Sequence, residues 1–357
     1  MALALSLGRR GQGVCWPNPA VGCVIVKDGR VVGRGWTQSG GRPHAETVAL
    51  TQAGAQARGA TVYVTLEPCA HHGQTPPCAE ALIAAGVMRV VGALEDCDGR
   101  VAGQGFAMLA AAGIDVTTGI FAAKAAYDHA GFFLRTETGR PLVTLKMASS
   151  FDGRSATATG QSQWITGPKA RRAVHAMRAR HDAVMVGAGT ARQDDPSLTI
   201  RDLGIDRQPV RVVVSRHLDL PLLSQLARSA STVPLWLCHG TGADTERLRA
   251  WEGLGARLIP CAMQGVQLEA RDVLQQLGQA GLTRVFCEGG GALAASLLAA
   301  DLVDELVGFT AGLAIGAEGM PVIGALGLER LTAATRFRLI ETHAIGPDIM
   351  HRWTRNP

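Results

Sequence analysis

The chain has 357 residues, of which 47% are hydrophobic and 18% charged. This length exceeds one ordinary core and predicts two domains, and the composition is that of a soluble globular protein, which excludes a disordered chain. The net charge of +5 is a mild excess, and the 4% aromatic share does not indicate a base-stacking surface for single-stranded nucleic acid.

The cysteines and the N-terminal segment indicate the compartment. Eight cysteines are present without the dense pattern of a small disulfide-linked domain, and several lie in apolar strands. The first ten residues have no basic region before their short apolar run, which argues against a signal peptide. No apolar stretch approaches the length of a membrane span. We therefore expect a cytoplasmic protein.

Strands and helices alternate through the first part of the chain, which predicts an α/β layered sheet. The predicted helices are 2–10, 45–53, 78–85, 106–112 and 122–133, and the predicted strands are 21–26, 30–36, 61–66, 89–94 and 114–116. A polar segment at 136–141 follows. It places the domain boundary between residues 141 and 142, so that the domains are 1–141 and 142–357.

The alternation then restarts and predicts a second α/β domain. Its predicted strands are 143–148, 183–186, 210–214, 235–238, 284–287 and 305–309, and its predicted helices are 168–180, 245–251, 271–279 and 292–300. Glu288 is followed by three glycines and the last of these helices. Such a turn lets a phosphate approach the backbone and the free N–H groups of the helix. Because the turn lies late in the chain, it predicts a phosphate site without a Rossmann fold, with a plain tight turn as the alternative.

The stretch from His44 to Cys78 holds the parts of a catalytic zinc site. Such a site keeps three protein ligands and one water, and His44, Cys69 and Cys78 supply that number. Coordination lowers the pKa of the water from 15.7 to about 7. Glu46, two residues after a ligand and at a helix start, is placed to carry a proton to a leaving nitrogen. These residues predict hydrolytic deamination.

The interval between the two thiols is unusual for this chemistry. Zinc nucleobase deaminases carry H-x-E followed by P-C-x-x-C, whereas eight residues separate Cys69 from Cys78 here. The alternative is a closed structural zinc site with His71 or His72 as the fourth ligand. That alternative leaves Glu46 without a role.

With this interval, the chain resembles the riboflavin-biosynthesis deaminases, in which the long thiol spacing is the distinguishing mark. The resemblance rests on residues 17–22, 44–46 and 68–78 and continues over nearly the whole chain. It implies a bifunctional enzyme in which a cytidine-deaminase-like three-layer domain binds Zn²⁺ and deaminates a diaminohydroxyphosphoribosylaminopyrimidine. It also implies that Asn18 and His71 contact the pyrimidine or the ribose phosphate.

The same resemblance assigns the second half to an NADPH-dependent reductase domain with a dihydrofolate-reductase-like fold, which converts the ribosyl group to ribityl. The implied dinucleotide contacts are Ala148, Trp164, Thr190, Asp194, Ser215, Gly290, Gly291, Ala292, Leu293, Ala294, Ala295 and Ser296. The implied sugar-phosphate contacts are Ser162, Arg178, Leu198, Arg201 and Glu288. Lys146, on the strand beside this cleft, is the predicted catalytic residue that polarises or protonates the Schiff-base nitrogen, with a plain ion pair as the alternative.

Two positions depart from the family pattern. Gln74 stands where the family usually has Lys or Arg facing the substrate phosphate. Either another arginine replaces that residue, with Arg42 as the first candidate, or this site binds the phosphate more weakly. Val214 stands where relatives often have Asp, so the resemblance carries less weight at the neighbouring Ser215.

Two other classes of function can be discriminated. A nucleic-acid base deaminase with a C-terminal recognition domain would bind RNA tightly and with strong salt dependence. An inactive metal-stabilised scaffold would show four protein ligands to the metal. The leading interpretation predicts a small phosphorylated pyrimidine as partner, with no nucleic acid and no membrane. From the resemblance alone, we also expect a homo-oligomer formed through the C-terminal domain.

Overall fold

A computed structural model describes residues 1–72, 76–99 and 102–355. Its contacts divide into two compact units, and the division falls between Gly139 and Arg140. Each unit combines helices with one main sheet, which confirms the predicted α/β class. None of the helices in the described ranges has both the length and the hydropathy that a membrane crossing requires.

The first unit is built on a sheet with the strand order β2-β1-β3-β4-β5. In chain order its elements are α1 (Ala2–Gly8), β1 (Gly22–Lys27), β2 (Arg30–Trp36), α2 (Ala45–Ala53), β3 (Thr61–Val64), α3 (Cys78–Ala84), β4 (Arg89–Gly92), α4 (Gln104–Ala111), β5 (Asp115–Thr117) and α5 (Ala122–Thr138). β1 runs antiparallel to β2 and β3, whereas β3, β4 and β5 are parallel.

The side-chain alternation along β1 explains why helices cover both faces of this sheet. Cys23 and Ile25 are fully buried in the core that includes residues of α2 and α3. Val24, between them, packs against Ala4 and Leu7 of α1. Because successive side chains of a strand point to opposite faces, one strand serves two apolar layers. The unit therefore has three layers, as predicted.

The second unit is built on a nine-stranded sheet with the order β11-β10-β9-β8-β14-β6-β15-β18-β17. In chain order its elements are β6 (Leu142–Ser149), β7 (Arg154–Ala156), α6 (Pro168–Arg178), β8 (Ala183–Gly187), α7 (Ala188–Asp194), β9 (Val210–Val214), α8 (Gln225–Arg228), β10 (Leu235–Gly240), α9 (Thr245–Gly253), β11 (Arg257–Cys261), β12 (Met263–Gln264), β13 (Gln267–Leu268), α10 (Ala270–Gln279), β14 (Arg284–Cys287), α11 (Gly291–Ala299), β15 (Glu305–Ala311), β16 (Met320–Pro321), β17 (Phe337–Ile345) and β18 (Asp348–Arg355). β12–β13 and β7–β16 form small antiparallel pairs.

In this order, neighbouring strands from β11 to β15 are parallel. β18 runs antiparallel to both of its neighbours, β15 and β17. Parallel sheets are covered on both faces, and residues 183–186 of β8 show this, because none is more than 1% exposed. The carboxyl ends of parallel strands lie at one edge of a sheet, where ligands bind in open α/β sheets. Ser215 directly follows β9 and Glu288 directly follows β14, which places these two predicted reductase residues at that edge.

Four observed elements coincide with predicted ones. β2, α2, β9 and β14 have the predicted bounds at both ends. The predicted helix 122–133 is too short, because α5 continues to Thr138, into the polar segment at 136–141. The sequence predicts no element after residue 309, yet β17 and β18 form a long hairpin there. β17 is half-buried or exposed along its whole length, so it carries no apolar alternation to detect.

Candidate functional site

The three predicted metal ligands lie together in the first unit. His44 directly precedes α2, Cys69 lies in the loop after β3, and Cys78 is the first residue of α3. Nδ1 of His44 is 3.3 Å from Sγ of Cys78 and 3.7 Å from Sγ of Cys69. All three ligand atoms lie within 4.8 Å of one another.

This donor set fits a zinc ion with an open position. Bond lengths of about 2.1 Å to nitrogen and 2.3 Å to sulfur place the two donors of a tetrahedral ion about 3.6 Å apart. No further His, Cys, Asp or Glu of the described residues joins the cluster. His72 instead contacts Glu80 at 3.0 Å, and its side chain is 72% exposed. The donor set is therefore that of a catalytic site, and the closed-site alternative finds no fourth ligand in the described chain.

Glu46 is buried beside this cluster in the first turn of α2. Burial raises the pKa of Glu46 to about 7, an effect that His44 opposes and Cys69 reinforces. A carboxyl group that titrates near neutral pH can both accept and release a proton. The environment thus suits the predicted proton shuttle.

The two thiols of the cluster have different environments. Hydrogen bonds from the Cys78 thiol and from His44 lower the pKa of Cys69 to about 4 against the opposing effect of burial. The backbone N–H of Cys78 also donates to Sγ of Cys69, at 3.3 Å. The hydrogen bond to Cys69, together with burial, raises the pKa of Cys78. The fold therefore favours the thiolate form of Cys69 and the thiol form of Cys78. Binding of a metal ion by both sulfurs releases the proton of Cys78.

Glu67 anchors the loop that carries Cys69, and sequence analysis assigns it no role. Its Oε1 accepts from the backbone N–H of Gly105 at 2.8 Å, and its Oε2 accepts from that of Gly103 at 2.9 Å. The free N–H groups at the start of α4 thus receive a carboxylate. A side chain at Gly105 would lie 1.9 Å from the carbonyl oxygen of Pro68. The only sequence indication of this role is the position of Glu67, just before Pro68 and Cys69.

The predicted substrate contacts of the first unit lie in two segments. Nδ2 of Asn18 donates to the carbonyl oxygen of Gly41 at 3.0 Å. Nδ1 of His71 is enclosed and has no hydrogen-bond partner among the described residues. Arg42, the candidate replacement for a basic residue at Gln74, is half-buried next to the metal ligands. Gln74 itself lies outside the described residues.

In the second unit, Lys146 of β6, Arg178 of α6 and Glu288 after β14 form a charge cluster. Nε and Nη2 of Arg178 donate to the carboxylate oxygens of Glu288 at 2.5 and 3.1 Å, and Nζ of Lys146 lies 3.9 Å from Oε2. Burial alone would raise the pKa of Glu288, but the charges of Arg178 and Lys146 outweigh it and lower that pKa. Burial lowers the pKa of Lys146. Lys146 therefore takes part in the predicted ion pair, and its lowered pKa also suits it to donate a proton.

The two arginines predicted to bind phosphate meet at one loop. Nη1 of Arg178 donates to the carbonyl oxygen of Thr199 at 2.6 Å, and Nη1 of Arg201 donates to Oγ of Ser197 at 2.8 Å. Leu198, between these partners, is buried and has a φ of 55°. Arg201 is exposed, whereas Arg178 is buried. The loop thus contacts both the buried guanidinium of Arg178 and the solvent-exposed guanidinium of Arg201.

A cavity of about 210 Å³ opens beside the glycine turn. Its lining comes from the region after β8, the region after β9, the β12–β13 hairpin and α11. Among the predicted dinucleotide contacts, Ala292, Leu293 and Ser296 line it. Ala294 and Ala295 are buried within the unit and do not. The cavity is the candidate dinucleotide site.

The backbone of the glycine turn fits the phosphates of a dinucleotide. Gly290 has a φ of 59°, which favours glycine, and an added Cβ would lie 2.9 Å from Oγ1 of Thr190. The predicted contact Thr190 thus stands at the turn. Gly291 begins α11, whose first N–H groups are available to an anion.

Several predicted contacts do not line this cavity. They are Ala148 on β6, Ser162 and Trp164 before α6, Thr190 and Asp194 of α7, Ser215 after β9, and Gly290 and Gly291 at the glycine turn. Trp164 is 66% exposed and lies 4.4 Å from the guanidinium of Arg171. Oγ of the buried Ser215 donates to Asp219 at 3.3 Å. Arg216 and the β12–β13 hairpin do line the cavity, although no sequence motif indicates them.

Two family models match successive parts of the chain. Residues 1–94 match the cytidine and deoxycytidylate deaminase zinc-binding region. Residues 141–351 match the RibD C-terminal domain, which covers more than half of the chain. The second match does not favour the alternative of a nucleic-acid recognition domain.

Individual relatives match over the full length. The riboflavin biosynthesis protein RibD of Escherichia coli K12 is 41% identical over 362 residues, which cover 98% of this chain and 96% of the relative. The structure of Acinetobacter baumannii RibD, form 1, has a TM-score of 0.88 at 39% identity and covers 100% of this chain and 98% of that chain.

A second solved structure matches at lower identity. It is a diaminohydroxyphosphoribosylaminopyrimidine deaminase/5-amino-6-(5-phosphoribosylamino)uracil reductase from Thermotoga maritima. It is 31% identical, has a TM-score of 0.87 and covers 100% of this chain and 97% of that chain. The chain is therefore an enzyme that joins a zinc-dependent deaminase domain to an NADPH-dependent reductase domain. It belongs to the RibD family of riboflavin biosynthesis proteins.

Proposed function

We propose that the chain deaminates a diaminopyrimidinone that carries a phosphoribosylamino group and then reduces the ribosyl group of the product to ribityl. Residues 1–141 act as the deaminase and residues 142–357 as the reductase. The observation that carries the proposal is the cluster of His44, Cys69 and Cys78 beside the buried carboxyl of Glu46.

In the first step, Glu46 moves the protons. When bound, zinc lowers the pKa of a water from 15.7 to about 7 and thus makes a nucleophile available at neutral pH. Glu46 accepts a proton from the attacking water and delivers it to the amino nitrogen, which leaves as ammonia. The pKa of Glu46 near neutrality supports both transfers. Asn18 and His71 hold the pyrimidine and its phosphoribosyl group.

In the second step, Lys146 supplies the proton and the arginines hold the phosphate. When bound, NADPH supplies a hydride to C1 of the opened ribose. In the opened form, C1 of the ribose is joined to the amino nitrogen by a C=N bond, the Schiff base. Lys146 donates its proton to that nitrogen, so that one hydride and one proton complete the reduction. Burial lowers the pKa of Lys146, which favours this release. Arg178 and Arg201 bind the sugar phosphate, since a planar guanidinium matches phosphate oxygens.

A coupled assay with the purified full chain tests the proposal. The diaminopyrimidinone nucleotide should release ammonia without NADPH, and NADPH should be oxidised only after ammonia has appeared. NADPH oxidation before ammonia release would reverse the proposed order. Release of no ammonia by the zinc-loaded chain would overturn the proposal.

Lys146→Met separates the two steps. We expect this variant to release ammonia at the wild-type rate and to lose about 10²–10⁴-fold in the rate of NADPH oxidation, as loss of a general acid predicts. The matched control is Lys169→Met, which replaces an exposed lysine on the same unit. An equal effect of both variants would remove Lys146 from the mechanism.

We also propose a cytoplasmic setting and self-association through the second unit. None of the eight cysteines is joined in a disulfide, which supports a reducing compartment. Leu339, Ile340 and Ile349 on the edge hairpin of β17 and β18 are 44–52% exposed, which supports contact with a second copy. Sedimentation of the full chain and of Ile340→Lys tests the association, because a charge in an apolar contact should shift the population to monomers.

A further inference from the structure

The cavity beside α11 has one charged side chain in its lining, that of Arg216. Val214, Val266 and Leu268 supply apolar surface. Ala292 and Leu293, in the first turn of α11, supply backbone N–H groups. Within the described chain, this cavity thus offers three different environments to one ligand. An apolar surface suits an aromatic ring, a helix start suits a diphosphate, and a guanidinium suits a further anion.

Arg216 is held by its neighbours on both the backbone and the side chain. The backbone N–H of Gly240, on β10, donates to the carbonyl oxygen of Arg216 at 3.0 Å. The backbone N–H of the preceding residue, Ser215, donates to the carbonyl oxygen of Cys238 at 2.9 Å. Nη1 of Arg216 donates to the carbonyl oxygen of Val266, between the strands of the β12–β13 hairpin. A guanidinium carries five N–H donors, and this contact engages one of its nitrogens. The side chain is therefore oriented before any ligand arrives.

We propose that Arg216 binds the 2′-phosphate of NADPH and sets the preference of the reductase for NADPH over NADH. This inference rests on the proposed reductase function. The first turn of α11, with Ala292 and Leu293 in the lining, accounts for the diphosphate, and the apolar surface accounts for the adenine ring. The 2′-phosphate is the anionic group by which NADPH differs from NADH. Arg216 is the cation that the described lining offers to it.

Binding of two small adenosine nucleotides isolates this contact. Adenosine 2′,5′-bisphosphate carries the phosphate in question, and adenosine 5′-monophosphate lacks it. Calorimetry with the full chain should give tighter binding of the bisphosphate to the wild type. Arg216→Gln should weaken the bisphosphate by about 10- to 100-fold, the cost of a lost charge-assisted hydrogen bond. It should change the monophosphate by less than about threefold.

Two further variants complete the comparison. Arg216→Lys keeps the charge without the planar fork and should fall between the wild type and Arg216→Gln. Arg249→Gln, at an exposed arginine of α9, should leave both affinities unchanged. In steady-state reduction, Arg216→Gln should raise KM for NADPH by the factor seen in binding and leave KM for NADH unchanged.

The proposal is overturned if Arg216→Gln weakens both nucleotides equally, because Arg216 then only supports the hairpin through Val266. It is also overturned if neither affinity changes, or if the wild type does not distinguish the two nucleotides. Failure of the reductase function has a different result: the wild-type chain would oxidise no NADPH with the deaminated substrate.

Discussion

Glu46 and Glu288 are both largely enclosed carboxyl groups, yet their environments act in opposite directions. Glu46 lies beside an imidazole and two thiols, and burial raises its pKa to about 7. Burial acts on Glu288 in the same sense, but the charges of Arg178 and Lys146 outweigh it and lower the pKa of that group. The first environment makes a group that exchanges protons, and the second makes a fixed anion that holds two cations. The neighbours, and not the residue type, decide the role.

The two sites also differ in their spread along the chain. The metal ligands and Glu46 fall between residues 44 and 78, whereas the reductase cluster draws on Lys146, Arg178 and Glu288. A compact local site and a site assembled from distant strands should respond independently to perturbation.

Removal of the metal should have the largest effect, because it should abolish one activity and leave the other intact. Dialysis against a chelator should abolish ammonia release, because the nucleophile depends on the ion. Reduction of the deaminated intermediate should continue at the wild-type rate, since no metal ligand lies in the second unit's cluster. Ammonia release should return when zinc is added. A parallel loss of both activities would contradict the independence of the sites.

Glu46→Gln should lower kcat for ammonia release by about 10²–10⁴-fold, because the amide cannot carry the proton. Zinc content, measured by atomic emission, should stay at one ion per chain. Glu80→Gln is the matched control, since Glu80 is a partly exposed carboxylate bound to His72, and it should retain activity. Wild-type ammonia release by Glu46→Gln would remove the shuttle assignment.

Glu288→Gln should lower the free energy of unfolding of the second unit by about 3–5 kcal/mol, because it leaves Arg178 enclosed without its carboxylate. Urea denaturation followed by fluorescence measures this change. Arg192→Gln breaks a pair with Asp219 whose side chains are 43% and 46% exposed, and it should cost less than about 1 kcal/mol. Equal effects of the two variants would show that enclosure of the Glu288 pair adds nothing.

The second unit should also lose stability in mild acid through His181. Burial lowers the pKa of His181 to about 4, whereas a histidine in an unfolded chain titrates near 6.5. Between about pH 4 and 6.5 the unfolded chain therefore binds the proton that the native chain excludes, and the free energy of unfolding rises with pH. The contribution, fully present above pH 6.5 and lost towards pH 4, is roughly 3 kcal/mol.

Urea denaturation at several pH values measures this dependence. His181→Gln should flatten the slope between pH 4 and 6.5, and His217→Gln, at an exposed position, should keep the wild-type slope. An unchanged slope in His181→Gln would assign the acid sensitivity to other groups.

The outcome of the sequence analysis differs between elements for a physical reason. β9 and β14 were predictable because nearly all of their residues are buried, which their apolar runs reflect. The β17–β18 hairpin and the short β12–β13 pair were not, since β17 is half-buried or exposed throughout and β12 and β13 have two residues each. Local patterns report burial, so elements with little burial escape them.

The sequence by itself determined the metal site, because zinc accepts few residue types and its ligands lie on elements close together in the chain. The order of two α/β domains was also readable from the alternation of elements. Only the tertiary structure revealed Glu67 as the anchor of the loop carrying Cys69, and Arg216 as the charge in the dinucleotide cavity. These roles depend on partners 36 to 50 residues away, such as Gly105 and Val266. A local pattern contains no information on contacts that folding creates between such segments.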